Sequence, residues 1–258
     1  MQIIVVSDFQ KAMERAKEIL YEKVDKKTVL FLSGGATPKS LYTGLAKDRI
    51  IHPAAVGMID ERYGEKWHEQ SNELMIQETG LLDYLSSRNI PFYPILQGHP
   101  ELDLGSLKKM PKHLSTSLKV KVRHDNLRQK TAEEYDKTTR DLFFHFRKSV
   151  AIMGIGVDGH ISSIAPNRKD FTNPMFDETN KQVFVGEFND IKSSYQERIG
   201  MTFAGLALID FFIILAFGKE KKKALEQMFA PGPLEEIPAR FFVQHAFKNS
   251  IILTDQQV

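Results

Sequence analysis

Chemistry in this chain concentrates where apolar runs end. Val150-Ala151-Ile152-Met153 empties into Gly154-Ile155-Gly156-Val157-Asp158-Gly159-His160. An imidazole ordinarily titrates near neutral pH and can take a proton from water, and a neighbouring carboxylate can orient it. Glycines permit backbone angles that other residues resist and let a ligand approach closely. At the carboxyl end of a strand in an open α/β sheet, such a loop sits where ligands bind. The plainer reading is a tight turn with a surface histidine. The sequence reading favours a catalytic loop, with His160 as base and Asp158 supporting it or ordering the water.

A second stretch has the same layout. Thr28-Val29-Leu30-Phe31-Leu32 is a β-type run, followed by Ser33-Gly34-Gly35-Ala36-Thr37-Pro38 and then a helical pattern from Lys39 to Ala46. Thr37 suits an N-cap and Pro38 a first helical position. Backbone N–H groups converging at a helix start make an anion cradle. The spacing is neither the P-loop nor the dinucleotide G-x-G-x-x-G pattern. An ordinary strand-to-helix turn is the alternative. The third stretch, Asp60-Glu61-Arg62, follows Ala54–Ile59. Arg62 there offers a planar fork for a phosphate or carboxylate, or an ion pair at a loop. Ser71-Asn72 reads as the cap of a helix through Glu78.

Taken in order and at these intervals, Ser33–Pro38, Asp60-Glu61-Arg62, Ser71-Asn72 and Gly154–His160 resemble the 6-phosphogluconolactonases. Their wider superfamily includes glucosamine-6-phosphate deaminase. Arg198-Ile199, Gly218-Lys219-Glu220-Lys221, Pro238-Ala239-Arg240 and Asp255 extend the resemblance along nearly the whole chain. The resemblance implies hydrolysis of 6-phospho-D-glucono-1,5-lactone to 6-phosphogluconate, in the oxidative pentose phosphate pathway. It implies His160 as general base with Asp158, and Arg62 stabilising the oxyanion or holding phosphate. It assigns the phosphate to Gly34, Gly35, Ala36, Thr37, Arg198 and Lys221. No cofactor and no metal are expected. The small-molecule lactone is the only partner expected, with the chain a monomer or weak homodimer in the cytoplasm.

Local departures bear on the rival activities. A deaminase-like chain has Tyr where Arg62 stands, Ser-Tyr at Ser71-Asn72, and a Phe-Asn-Glu run after the histidine. Here Ile161-Ser162-Ser163-Ile164-Ala165-Pro166 follows, without a Glu to assist ring opening. The lactonase pattern is departed from at Ser149-Val150, at Ile164-Ala165-Pro166, and at Gly200, where Thr is usual. A sugar-phosphate sensor without turnover is a third alternative, weakened by the presence of both Asp158 and His160.

These loops need a frame. The alternation of strands (3–6, 28–32, 56–59, 92–95, 150–153, 211–217) with helices (9–21, 38–46, 72–84, 132–146, 219–229) predicts an α/β fold: a mostly parallel, Rossmann-like sheet covered by helices on both faces. The family resemblance implies that Arg198-Ile199 opens a strand, and two closing strands are expected at 241–244 and 251–253. A length of 258 residues fits one domain, 1–258, with a basic insertion at about 98–130. Between Gly105 and Lys130 stand eight basic residues, Lys108, Lys109, Lys112, Lys119, Lys121, Arg123, Arg128 and Lys130, against a single acid, Asp125. A solvated surface insertion is the simpler account, an anion-attracting flap the functional one.

Composition excludes several classes. With no cysteine, disulfides, thiolate catalysis and zinc–thiolate sites are absent. Lys plus Arg number 35 against 33 Asp plus Glu, which does not suggest a nucleic-acid binder. The N-terminus lacks signal-peptide order, and the apolar stretch near Phe203–Phe217 is broken by Asp210 and too short to span a bilayer. The other histidines lack metal-ligand spacing.

Overall fold

The computed structural model describes residues 1–97, 116–191, 193–245 and 249–257, with backbone only for 116–125. Its elements run β1 (Gln2–Val5), α1 (Phe9–Lys23), β2 (Thr28–Leu32), α2 (Ala36–Asp48), β3 (Ala55–Met58), β4 (Asp60–Arg62), α3 (Asn72–Glu78), α4 (Leu81–Ser87) and α5 (Thr116–His145). They continue with β5 (Lys148–Gly154), β6 (Val185–Asn189), β7 (Glu197–Met201), α6 (Phe203–Leu206), β8 (Phe211–Ala216), α7 (Lys222–Phe229), α8 (Arg240–Gln244) and β9 (Ser250–Thr254).

The main sheet has six strands in the order β1-β9-β8-β5-β2-β3. All its pairings are parallel. Every residue of β2 and β3 is buried. Successive side chains on a strand point to opposite faces, so both faces of the sheet are covered there. This is why these strands read as continuous apolar runs. The helices are amphipathic in the complementary way: α1 buries Ala12, Met13, Ala16, Ile19 and Leu20. Its start is fixed by Asp8, whose side chain accepts from the Lys11 amide at 3.1 Å. Among the described residues no helix is long and apolar enough to cross a membrane.

A second, three-stranded antiparallel sheet, β4-β7-β6, was not expected. The chain leaves the main sheet at Ile59, whose carbonyl accepts from the Met201 amide at 2.8 Å, and enters β4 at once. Of the small sheet's strands only β7 is foreshadowed, by the family resemblance at Arg198-Ile199, and β6 (Val185-Gly186-Glu187-Phe188-Asn189) is too short and too mixed to announce itself. Residues 92–95 form one bridge, Val56 with Phe92, rather than a strand.

Other expectations are corrected by local physics. Residues 241–244 are helical, not a strand: the Phe241 and Phe242 amides bond back to Pro238 and Ala239 at 3.0 and 3.1 Å. Both rings pack on Phe212 of β8, so the segment covers the sheet instead of extending it. The single helix expected over 72–84 breaks at Gly80, whose φ of 78° is left-handed. Helix α2 starts earlier than Thr37. Gly35, at φ 114°, is its N-cap, which puts Thr37 and Pro38 inside the first turn. The basic segment is not simply a loop, because α5 begins at Thr116. Arg128 pairs with Glu187 and Glu197 at 2.7 and 2.8 Å and so packs on β6 and β7. Lys108, Lys109 and Lys112, and the side chains of Lys119, Lys121 and Arg123, lie outside the described residues.

Candidate active site

Strand order decides where the loops meet. From β2 the chain proceeds to β3 on one side, while β5 lies on the other and leads to β8. The crevice at such a reversal, outside the carboxyl ends of the strands, is where open α/β sheets bind ligands. Here it is flanked by Ser33–Pro38 after β2 and Gly154–His160 after β5, and it forms a cavity of about 380 Å³.

Eight of the nine residues expected from the sequence line this one cavity: Gly34, Gly35, Ala36, Thr37, Arg62, His160, Arg198 and Lys221. Asp158 stands just behind. Its Oδ1 lies 2.7 Å from His160 Nδ1 and accepts from the His160 amide at 3.2 Å. Burial pushes the Asp158 carboxyl up, but the hydrogen bond and charge of His160 and nearby N–H groups outweigh it and hold the group at about 2. With Nδ1 engaged by the carboxylate, Nε2 is the nitrogen left for chemistry. Gly156 makes this geometry accessible, since a Cβ there would come within 2.0 Å of His160 Nδ1. The loop closes through Gly156 N–H to the His160 carbonyl at 2.9 Å.

The cationic wall comes from the small sheet. In the β4–β7 ladder Arg62 stands directly opposite Arg198, and Asp60 opposite Gly200. The strand period of two puts residues 60 and 62 on one face and Glu61 on the other. Two guanidiniums side by side repel, and each has a buried Nε without a hydrogen-bond partner. Burial lowers the Arg198 pKa, Asp60 opposes that, and Arg62 adds to it. Arg198 reaches Asp190 at 3.8 Å and Ser193 Oγ at 2.9 Å through Nη2, yet two crowded guanidiniums that each keep an unpartnered Nε at a cavity suit an anion. Arg62 is aimed by one bond, Nη1 to the Gln70 carbonyl at 2.8 Å.

Glu61, on the reverse face and fully buried, holds this wall in place. Its Oε1 accepts from the amides of Arg62 and Asn72, both at 2.7 Å. Its Oε2 accepts from Ser71 Oγ at 2.9 Å and the Glu73 amide at 2.8 Å. Burial pushes this carboxyl up to about 7 against the pull of those donors. The carboxylate thus occupies the N-terminus of α3, alongside Ser71, whose Oγ also accepts from the Leu74 amide at 3.1 Å.

Lys221 enters from the turn after β8, its Nζ donating to the Ile155 carbonyl at 2.7 Å. Burial lowers its pKa, while Glu220 and Asp158 raise it. That turn is pinned by Asp255, which accepts from the Gly218 amide at 3.0 Å. The first-turn amides of Ala36 and Thr37 have no helical acceptor, as at every helix start.

The sequence reading missed Asp60, Asn72, Ser162 and Glu220, which also line the cavity. Asp60 belongs to a stretch in which only Arg62 was singled out, and alternation along a strand would have paired them. Asn72 was read as part of a cap. In the fold its Nδ2 donates to the Asp60 carbonyl at 2.9 Å. Its Oδ1 lies where a Gly34 Cβ would come within 2.0 Å. Only the tertiary structure brings residues 34 and 72 together.

The model for glucosamine-6-phosphate isomerases/6-phosphogluconolactonase matches residues 6–252. A 6-phosphogluconolactonase of Nostoc sp. is 26% identical over 250 residues, covering 92% of this chain and 89% of its own length. A glucosamine-6-phosphate deaminase of Colwellia psychrerythraea is also 26% identical, over 275 residues, covering 100% of this chain and 88% of its own. In fold, the chain is similar to 6-phosphogluconolactonase from Plasmodium vivax, with a TM-score of 0.70 at 18% identity, covering 99% of this chain and 91% of that one.

Proposed function

The chain belongs to the glucosamine-6-phosphate isomerase/6-phosphogluconolactonase family, and from that premise we propose that it hydrolyses 6-phospho-D-glucono-1,5-lactone to 6-phosphogluconate. The observation that carries this reading is the hydrogen-bonded Asp158–His160 pair at a cavity walled by Arg62 and Arg198. A lactone carbonyl is already electrophilic, so water needs only a base and the oxyanion only positive charge. His160 Nε2 takes a proton from water as its oxygen attacks the carbonyl. Asp158 holds the ring and supports the imidazolium that forms. Arg62 faces the developing oxyanion. The intermediate then collapses, the ring C–O bond breaks, and the imidazolium returns its proton to the departing ring oxygen, which becomes the hydroxyl of the open-chain acid. The phosphate is held by Gly34, Gly35, Ala36 and Thr37 at the start of α2, with Arg198 and Lys221. The reaction belongs to the oxidative pentose phosphate pathway.

The deaminase reading has a specific observation behind it, the equal identity to a named deaminase. Against it stand Arg62, Asn72 and the absence of a Glu in Ile161–Pro166. One experiment separates them. Purified protein is mixed with freshly made 6-phosphogluconolactone and, separately, with glucosamine 6-phosphate, and acid and ammonia release are followed. Acid release above the spontaneous rate is expected. Ammonia release with no acceleration of lactone opening would overturn the proposal.

A further inference from the structure

Directly after the catalytic loop, Ile161-Ser162-Ser163-Ile164 forms a tight turn closed by the Ile164 amide to the Ile161 carbonyl at 2.9 Å. Its second residue, Ser162, has φ 53°. That is the left-handed region, which costs strain for any residue with a Cβ and which glycine fills freely. If the turn were the only requirement, glycine would serve better there. Ser162 is nonetheless buried and lines the same cavity as His160. Its hydroxyl donates to the Met201 carbonyl at 3.1 Å, which fixes the rotor and leaves the oxygen lone pairs to accept.

Space for this hydroxyl is made from the opposite strand. A Cβ on Gly200 would come within 2.8 Å of Ser162 Oγ, 2.9 Å of Asp60 Cβ and 3.0 Å of Ser163 Oγ. Gly200 is therefore a bare floor over which Ser162, Ser163 and Asp60 converge. Gly200 stands opposite Asp60 in the ladder that holds Arg62 opposite Arg198, so this polar floor adjoins the cationic wall.

We propose that Ser162, admitted by Gly200, is a specificity-determining residue whose oxygen accepts a hydrogen bond from a ring hydroxyl of the sugar-phosphate substrate. The inference rests on the lactonase reading for the identity of that sugar. A group that accepts from a substrate hydroxyl discriminates against the analogue that lacks or inverts it, because its own lone pair is then left buried and unpaired.

The test uses wild type, Ser162→Ala, Ser162→Gly and Gly200→Ala. The probes are 6-phosphogluconolactone, its 2-deoxy analogue and its 4-epimer, with calorimetric binding of 6-phosphogluconate and of the corresponding deoxy and epimeric acids. Wild type should prefer the parent over one analogue, and Ser162→Ala and Ser162→Gly should both lose that preference by roughly tenfold, the worth of one hydrogen bond. Loss should come from the parent compound, with the disfavoured analogue unchanged. Ser162→Gly should also gain thermal stability from relieved strain. Gly200→Ala should lose the same preference by displacing the hydroxyl. If both serine variants alter melting temperature while keeping the wild-type ratio between parent and every analogue, Ser162 serves only the turn and the inference falls. Wild type without lactone turnover sinks the lactonase reading instead, and the ratio of acid affinities then still decides the role of Ser162.

Discussion

At the residue scale, the His160–Asp158 pair carries the chemistry proposed here. His160→Asn should lower kcat by about 10²–10⁴-fold, the usual contribution of a positioned base. Binding of 6-phosphogluconate should persist, because the residues proposed to hold its phosphate lie on other loops. Calorimetry beside stopped-flow rates, corrected for spontaneous opening, checks both halves. Asp158 gives a stability signature with a definite sign. Its carboxyl is held at about 2 in the fold against an ordinary 3.8, so the fold favours the charged form. The stabilisation is fully present above 3.8 and is lost as pH falls through about 2. The stability difference between wild type and Asp158→Asn should shrink as pH falls from 3.8 through about 2, as read from urea midpoints across pH. A difference that stays constant or grows below 3.8 would contradict the pair.

At the element scale, the site depends on two glycine-bearing loops and one buried clamp. Gly156→Ala puts a Cβ where His160 Nδ1 lies, 2.0 Å away, so the imidazole must leave Asp158. Activity should drop nearly as far as in His160→Asn while circular dichroism stays close to wild type and the melting temperature falls no further than in Asp158→Asn. The clamp is Glu61, which ties β4 to the start of α3 through four donors. Glu61→Gln turns an NH₂ toward two of those donors whichever way the amide is set. Only the Ser71 hydroxyl can rotate to accept. The variant should lose about 2 kcal/mol or more of stability, the cost of buried unsatisfied groups, measured by denaturant unfolding. The strands and helices that frame these loops were largely legible. Continuous apolar runs such as Val29–Leu32 mark buried parallel strands, and the helical spacing of Ala12, Ala16, Ile19 and Leu20 marks α1. The α8 segment was not legible, because Phe241-Phe242-Val243 has the composition of a strand and only packing against Phe212 makes it a helix.

At the scale of the whole molecule, the proposed phosphate site draws on the start of α2, strand β7 and the turn after β8, which line one cavity although no local stretch contains them. Lys221→Ala should mainly raise KM for the phosphorylated lactone, by the 1–3 kcal/mol or so typical of a charge-assisted hydrogen bond. Unphosphorylated gluconolactone should be a poor wild-type substrate and indifferent to the substitution. Steady-state kinetics on both lactones decides it, and equal wild-type efficiency on the two would remove the phosphate site.

The sequence by itself determined the α/β class and singled out nine residues of which eight line one cavity; the two glycine loops were legible because each is a local event, in which a strand stops, glycines turn the chain, and a polar residue follows. What only the tertiary structure decided is which of these face one another. The reversal of strand order beside β2 sets the glycine loops across a single crevice. The unannounced small sheet sets Arg62 against Arg198 and leaves Gly200 beneath Asp60 and Ser162. Those juxtapositions depend on register between strands more than a hundred residues apart, and register is fixed by the burial of whole faces rather than by any local signal.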